Sequence, residues 1–147
     1  MAGNLTEELQ AHLQATLNCL ELCTALETQS SEPCVRQGLG SLVDDLQESV
    51  SVLAGQLRQR GVAPGKYELD RRSKARVHEM LMRRSPAEQL LAIRDSLASL
   101  AAGYVAYLPA DEAGHVAPAW LASLSAQAQR MLEGWDEQRR AVKAAKF

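Results

Sequence analysis

Apolar residues recur every three or four positions through residues 33–60, a period that places them on one face of an α-helix. The residues of this face are Val35, Leu39, Leu42, Val43, Leu46, Val50, Leu53 and Leu57. Similar spacing occurs in residues 5–28, 86–108 and 117–143, whereas the alternating pattern of β-strands occurs nowhere. Aromatic residues make up only 4% of the chain, so the core must consist of Leu, Val and Ala. The 147 residues therefore predict one all-α domain, 1–147, with four long helices.

Proline and glycine residues mark the limits of these helices. Pro33 and Pro86 each suit the first turn of a helix, where a missing N–H costs nothing. Ser85 and Glu88 flank Pro86 at the spacing of a capping box. Gly61 ends the helix at 33–60. The predicted helices therefore span about 5–28, 33–60, 86–108 and 117–143.

The connector of residues 61–85 limits how the helices are arranged, because structureless loops of this length are uncommon in compact domains. Its part at about 67–83 predicts a short helix with apolar Leu69, Val77, Met80 and Leu81. Partly helical, the connector reaches roughly 50 Å, against about 42 Å for the helix at 33–60. It is long enough to cross the bundle and leave the second and third long helices parallel, as in ferritin-like bundles. The alternative is an up-and-down array of five antiparallel helices.

A ferritin-like oxidase needs carboxylates inside the bundle, as one Glu from each of two helices and a Glu-x-x-His motif from each of the others. Helical wheels place the acidic residues away from the apolar faces: Glu7, Glu21, Asp44, Asp45, Glu48, Asp95 and Glu133. No Glu-x-x-His motif occurs within the predicted helices, since Glu112 and His115 lie between the third and the fourth. We therefore expect no di-iron site and no cofactor. His78 and His115 lie near no nucleophile motif, so we expect no enzymatic activity.

The three cysteines allow a different metal site. Cys19 and Cys23 share the apolar face of the first helix with His12, and Cys34 begins the next helix. The three thiols could share one zinc or copper(I) ion, whereas His12 lies about 10 Å from Cys19 along the axis, too far for the same ion. The alternatives are buried free cysteines and a disulfide between Cys23 and Cys34.

The location is predicted from what the chain lacks. An odd number of cysteines, three, argues against a disulfide scaffold. The first residues, MAGNLTEELQ, do not resemble a secretory signal, and no apolar run reaches the length of a membrane span. We therefore expect a cytoplasmic protein that does not enter the membrane.

Charge is distributed unevenly along the chain. The net charge of −2 excludes a generally basic nucleic-acid binder, yet residues 61–86 hold seven basic and three acidic residues. Five of these basic residues form a candidate interaction surface for an anionic partner: Lys66, Arg71, Arg72, Lys74 and Arg76. The alternative is that this segment lies across acidic faces of its own bundle. Tyr67 is its only aromatic residue, which argues against single-stranded nucleic acid as the partner.

The apolar face of the first helix is unusually broad, at roughly 220° against somewhat over 100° for an ordinary surface helix. Leu22 and Leu26 lie on the additional part of this face. These leucines are covered either by the connector of residues 61–85, which we call the crossover, or by a second copy of the chain. The second case predicts a homodimer.

The layout as a whole, two helical hairpins around a connector with its own short helix, resembles small bacterial ferritin-like proteins of unknown function, some of them stress-associated. The resemblance covers about residues 4–140 and implies a ferritin-like four-helix bundle, without the di-metal ligands of the oxidases. We therefore expect a non-catalytic, self-associating bundle. The alternatives are a metal-handling or thiol-redox bundle that uses the three cysteines, and a module that binds an anionic partner through the basic crossover.

Overall fold

The computed structural model describes residues 5–62, 71–107 and 119–145. Within these ranges the chain forms five α-helices and no β-strand: α1 (Leu5–Gln29), α2 (Pro33–Gln59), α3 (Arg71–Met82), α4 (Pro86–Tyr107) and α5 (Ala119–Ala145). The all-α class predicted from the sequence is confirmed. The limits of the four long helices lie within two residues of those expected. The first residues of the short helix expected at 67–83 lie outside the described part of the chain, as does Lys66.

Local hydrogen bonds explain where α2 ends and α4 begins. At the end of α2, the N–H of Val62 donates to the carbonyl of Leu57 and the N–H of Gly61 to that of Arg58, each at 3.0 Å. This is a Schellman motif, and it requires the positive φ of 84° at Gly61. At the start of α4, the N–H of Ser85 donates to the Glu88 carboxylate at 3.0 Å, and the Glu88 N–H donates to the Ser85 hydroxyl at 3.3 Å. These two bonds form the capping box that the sequence predicts.

Contacts between helices define their relative directions. The side-chain amide of Gln138 donates to the carbonyl of Cys34, and the Ser49 hydroxyl donates to Gln127 at 3.0 Å, so α5 runs antiparallel to α2. Near the start of α4, the carbonyl of Leu90 accepts a hydrogen bond from the Trp135 indole N–H at 3.0 Å. The start of α4 therefore lies beside the last third of α5.

The direction of α4 follows from its contacts with α1. Leu26, Val35 and Leu90 line one cavity, which places the end of α1 beside the starts of α2 and α4. At the other end, Tyr104 of α4 contacts His12 of α1, with ring centroids 3.9 Å apart. Helix α4 therefore runs antiparallel to α1 and parallel to α2.

The four long helices pack in a ring, in which α1 and α5 each contact both α2 and α4. Helix α3 packs against α1. Because α2 and α4 are parallel, residues 61–85 connect opposite ends of this ring. Helix α3, the described helix of this connector, therefore lies along the outside of α1.

The core is mainly aliphatic, as the composition predicts, with Tyr104 and Trp135 as buried aromatic side chains. Its fully buried aliphatic side chains include Leu9, Leu39, Leu46, Leu53, Leu57, Leu81, Ile93 and Leu97. No helix in the described ranges combines the length and the apolar character that crossing a bilayer requires.

The broad apolar face of α1 is covered within one chain. Leu22 and Leu26 are only 4% and 5% exposed and belong to the same core as Val77 and Leu81 of α3. These two leucines, expected to be available as an interaction surface, are therefore not available to a second copy. The crossover interpretation of this face is the one that agrees with the structure, because α3 packs on α1.

Candidate functional site

The carboxylates of the described residues lie at the surface. The buried polar side chains of this part of the chain are His12, Thr16 and Ser49, and no carboxylate is among them. In the same residues, no group of three or more His, Cys, Asp or Glu side chains is arranged to hold a metal ion.

The three cysteines do not form one metal site. Cys19 and Cys23 are fully buried on α1, whereas Cys34 is exposed in the first turn of α2. All three are free thiols, so the expected alternative of a disulfide between Cys23 and Cys34 is not formed either. The physical reason is that the helical period directs Cys19 and Cys23 into the core, while Cys34 points to solvent. A side-chain hydrogen bond with Cys19, together with burial, raises the pKa of the Cys23 thiol, which favours its unreactive protonated form.

His12 lies inside the bundle, on the apolar face of α1. Its ring packs against that of Tyr104, and Thr16 beside it donates a hydrogen bond to the His12 carbonyl at 2.8 Å. Burial lowers the pKa of His12 from 6.5 to about 4. The imidazole is therefore neutral at pH 7. The contact between His12 and Tyr104 was not predicted from the sequence. Helical spacing places His12 on the inner face of α1 but does not identify its partner on α4.

The basic residues of the crossover are at the surface. Arg71, Arg72, Lys74 and Arg76 of α3 are all exposed, and we refer to these four residues as the α3 cation cluster. In the described parts of the chain, none of the four forms an ion pair with a carboxylate. Helix α3 therefore presents four positive charges within six residues to solvent.

Helix α3 is held to α1 by its other face. Val77 and Leu81 are buried against the core, and His78 approaches the carboxylate of Glu21 on α1 at 2.9 Å. The carbonyl of Leu81 also accepts a hydrogen bond from Gln89 of α4 at 2.8 Å. These contacts fix the rotation of α3, so the cation cluster faces away from the bundle. The contact between His78 and Glu21 was not predicted from the sequence. The only indication of it there is that Glu21 lies on the polar side of the helical wheel of α1.

The two other histidines give no catalytic arrangement in the described residues. His78 contacts a carboxylate but no nucleophile, and His115 lies outside the described part of the chain. Comparisons with protein-family models, with curated proteins and with solved structures found no significant match. Any statement about function therefore depends on the structure of the chain itself.

Proposed function

We propose that this protein is a non-catalytic binding module, built on a ferritin-like four-helix bundle, whose α3 cation cluster contacts an anionic partner. The parallel direction of α2 and α4 supports the ferritin-like assignment, because one long crossover is typical of that topology. Helix α3 is the helical part of this crossover.

The observation that carries the proposal is that no carboxylate of the described residues forms an ion pair with the α3 cation cluster. Helix α3 packs on α1, whose sequence is acidic, and yet only His78 reaches a carboxylate of α1 among the described contacts. Some arginines elsewhere in the described residues are paired, since Arg94 and Arg139 both contact Asp136, at 3.4 and 3.3 Å. The alternative, that the basic crossover neutralises the acidic faces of its own bundle, therefore receives little support.

The charge of the whole chain supports a local contact. The net charge is −2, whereas residues 61–86 hold seven basic and three acidic residues, so the crossover has a net positive charge. Such a patch attracts an anion within about 10 Å at moderate ionic strength and loses this attraction as salt is added. Binding through α3 is accordingly expected to depend on salt.

Retention on a heparin column tests this proposal, with heparin as a general polyanion. We expect wild-type protein to be retained at low salt and the double variant Arg71→Glu/Arg72→Glu to elute without retention. The matched control is Arg36→Glu/Arg140→Glu, which changes the net charge equally at exposed arginines of α2 and α5. Equal retention of the two variants, or no retention of the wild type, contradicts the proposal.

Self-association and a cytoplasmic location remain predictions. Because Leu22 and Leu26 are buried within one chain, a homodimer no longer has the apolar face of α1 as its basis. Sedimentation equilibrium at micromolar concentration measures the oligomeric state directly.

A further inference from the structure

The end of α3 and the first turn of α4 border a shallow groove with a volume of about 540 Å³, which we call the α3–α4 groove. Three arginines, two glutamates and one methionine line it: Arg76, Glu79, Met80, Arg83, Arg84 and Glu88. Met80 is half-buried, whereas the five charged residues are exposed. The groove therefore combines an apolar residue with charged side chains of both signs.

Both carboxylates of the groove already have partners within the chain. Glu79 accepts a hydrogen bond from the guanidinium of Arg83 at 2.6 Å. Glu88 accepts the N–H of Ser85 at 3.0 Å as part of the capping box, and this backbone hydrogen bond lowers the pKa of its carboxyl. Glu88 is therefore ionised and held in place at neutral pH.

Two of the three guanidinium groups form no direct ion pair within the described residues, although the charge of Arg84 contributes to the lowered pKa of Glu88. Arg76 and Arg84 form no ion pair with any carboxylate in residues 5–62, 71–107 and 119–145. A guanidinium group offers a planar pair of donors that matches a carboxylate, so each is suited to bind one from outside the chain. With three arginines and two glutamates the groove has a net charge of +1, and Arg76 and Arg84 are its guanidinium groups outside the ion pairs of the described residues.

The glutamates of the groove discriminate between classes of anion. A nucleic acid or an anionic lipid surface presents closely spaced phosphates, some of which would face Glu79 and Glu88 and be repelled. A polypeptide can place carboxylates opposite Arg76 and Arg84 and neutral side chains opposite the two glutamates. Met80 adds a polarizable apolar contact suited to peptide side chains.

We propose that the α3–α4 groove binds an acidic segment of a partner protein, whose carboxylates pair with Arg76 and Arg84. This inference rests on the proposed function, because it identifies the chemical class of the anion and the part of the crossover that selects it.

Fluorescence anisotropy with three labelled probes tests the inference. The probes are a 15-residue peptide of alternating Glu and Ala, a 15-base-pair DNA duplex, and vesicles that contain phosphatidylserine. We expect the peptide to bind wild-type protein most tightly. In Arg76→Ala/Arg84→Ala its affinity is expected to fall about tenfold, a loss consistent with two exposed charged contacts.

Two further variants serve as controls. Arg36→Ala/Arg140→Ala removes the same charge elsewhere and is expected to bind the peptide as the wild type does. Arg76→Gln/Arg84→Gln retains long polar side chains and is expected to reproduce the loss seen with alanine, should the alanine variant fold poorly.

The outcomes separate this inference from the proposed function. If DNA or vesicles bind more tightly than the peptide, the partner is not an acidic protein segment. The proposed function, in which the crossover binds an anionic partner, then still stands. Peptide binding that survives the loss of Arg76 and Arg84, but not charge reversal at Arg71 and Arg72, overturns the groove alone. If wild-type protein binds none of the three probes, both proposals are wrong.

Discussion

The burial of His12 makes the stability of the protein depend on pH in a way that one substitution should remove. This side chain is 4% exposed, and burial lowers its pKa from 6.5 to about 4. Below pH 6.5 the unfolded chain takes up a proton at this position, whereas the folded chain resists it down to about pH 4. The contribution of neutral His12 to stability is therefore complete above pH 6.5 and is lost as the pH falls from 6.5 to 4.

The size of this effect follows from the difference between the two pKa values. At about 1.4 kcal/mol for each unit of pKa, His12 lowers the free energy of unfolding by about 3 kcal/mol once the pH is below 4. Between pH 7 and pH 5 the same linkage amounts to about 2 kcal/mol. Against a typical stability of about 5–15 kcal/mol, urea titration resolves a change of this size.

The assay is urea unfolding followed by circular dichroism at pH 7 and pH 5. We expect His12→Gln to lose about 2 kcal/mol less than the wild type over this interval, because the variant has no imidazole to protonate. The carboxylates are common to both proteins, so their contribution cancels. His12→Leu is a second non-titrating variant, and His78→Gln is the control at an exposed histidine. If His12→Gln loses as much stability as the wild type, His12 is not the buried neutral group that the structure indicates.

Two further predictions concern the thiols and the end of α2. Ellman's reagent should modify Cys34 quickly in the folded protein, and Cys19 and Cys23 only after unfolding; three fast thiols would contradict the burial of α1. Gly61→Ala should lower the free energy of unfolding by about 1 kcal/mol, because the positive φ of 84° strains an alanine although its Cβ has open space. Gly55→Ala, in the interior of α2 with equal space around it, should raise the free energy of unfolding by up to about 1 kcal/mol. If both substitutions change the free energy of unfolding in the same direction, the Schellman motif is wrong.

Local chemistry makes the helix limits predictable from the sequence. Pro33 and Pro86 begin α2 and α4 because the first turn tolerates proline, and Gly61 follows the end of α2 because it adopts a positive φ. The direction of α4 depends on a length, since residues 61–85 are sufficient to cross the bundle. The sequence therefore allows the crossover but does not distinguish it from an up-and-down array, a choice that the contacts of α4 with α1 decide.

Features that depend on tertiary contacts are harder to predict from the sequence. The width of the apolar face on α1 indicates that Leu22 and Leu26 need a cover, but it does not distinguish α3 from a second copy. The pairing of His78 with Glu21 depends on the rotation of α3 about its axis, which the buried Val77 and Leu81 determine.

The candidate site, too, is predictable from the sequence in part and depends on tertiary contacts for the rest. Composition alone identifies a basic segment, but its significance depends on whether its charges are neutralised within the chain. Arg76 and Arg84 become candidate ligands for a carboxylate only because Glu79 is occupied by Arg83 and Glu88 by the backbone of Ser85. Those partnerships depend on side-chain positions where α3 meets α4, and the sequence pattern does not contain them.

The most direct test of the central claim is to observe the arginine side chains while a partner binds. Two-dimensional NMR of the arginine Nε–Hε groups, recorded during titration with the alternating Glu and Ala peptide, reports each guanidinium separately. We expect the resonances of Arg76 and Arg84 to shift, together with those of Arg71 and Arg72. Those of Arg36 and Arg140 are expected to stay unchanged. Shifts centred on Arg36 and Arg140, or no shift at any arginine, would contradict the assignment of α3 as the binding surface.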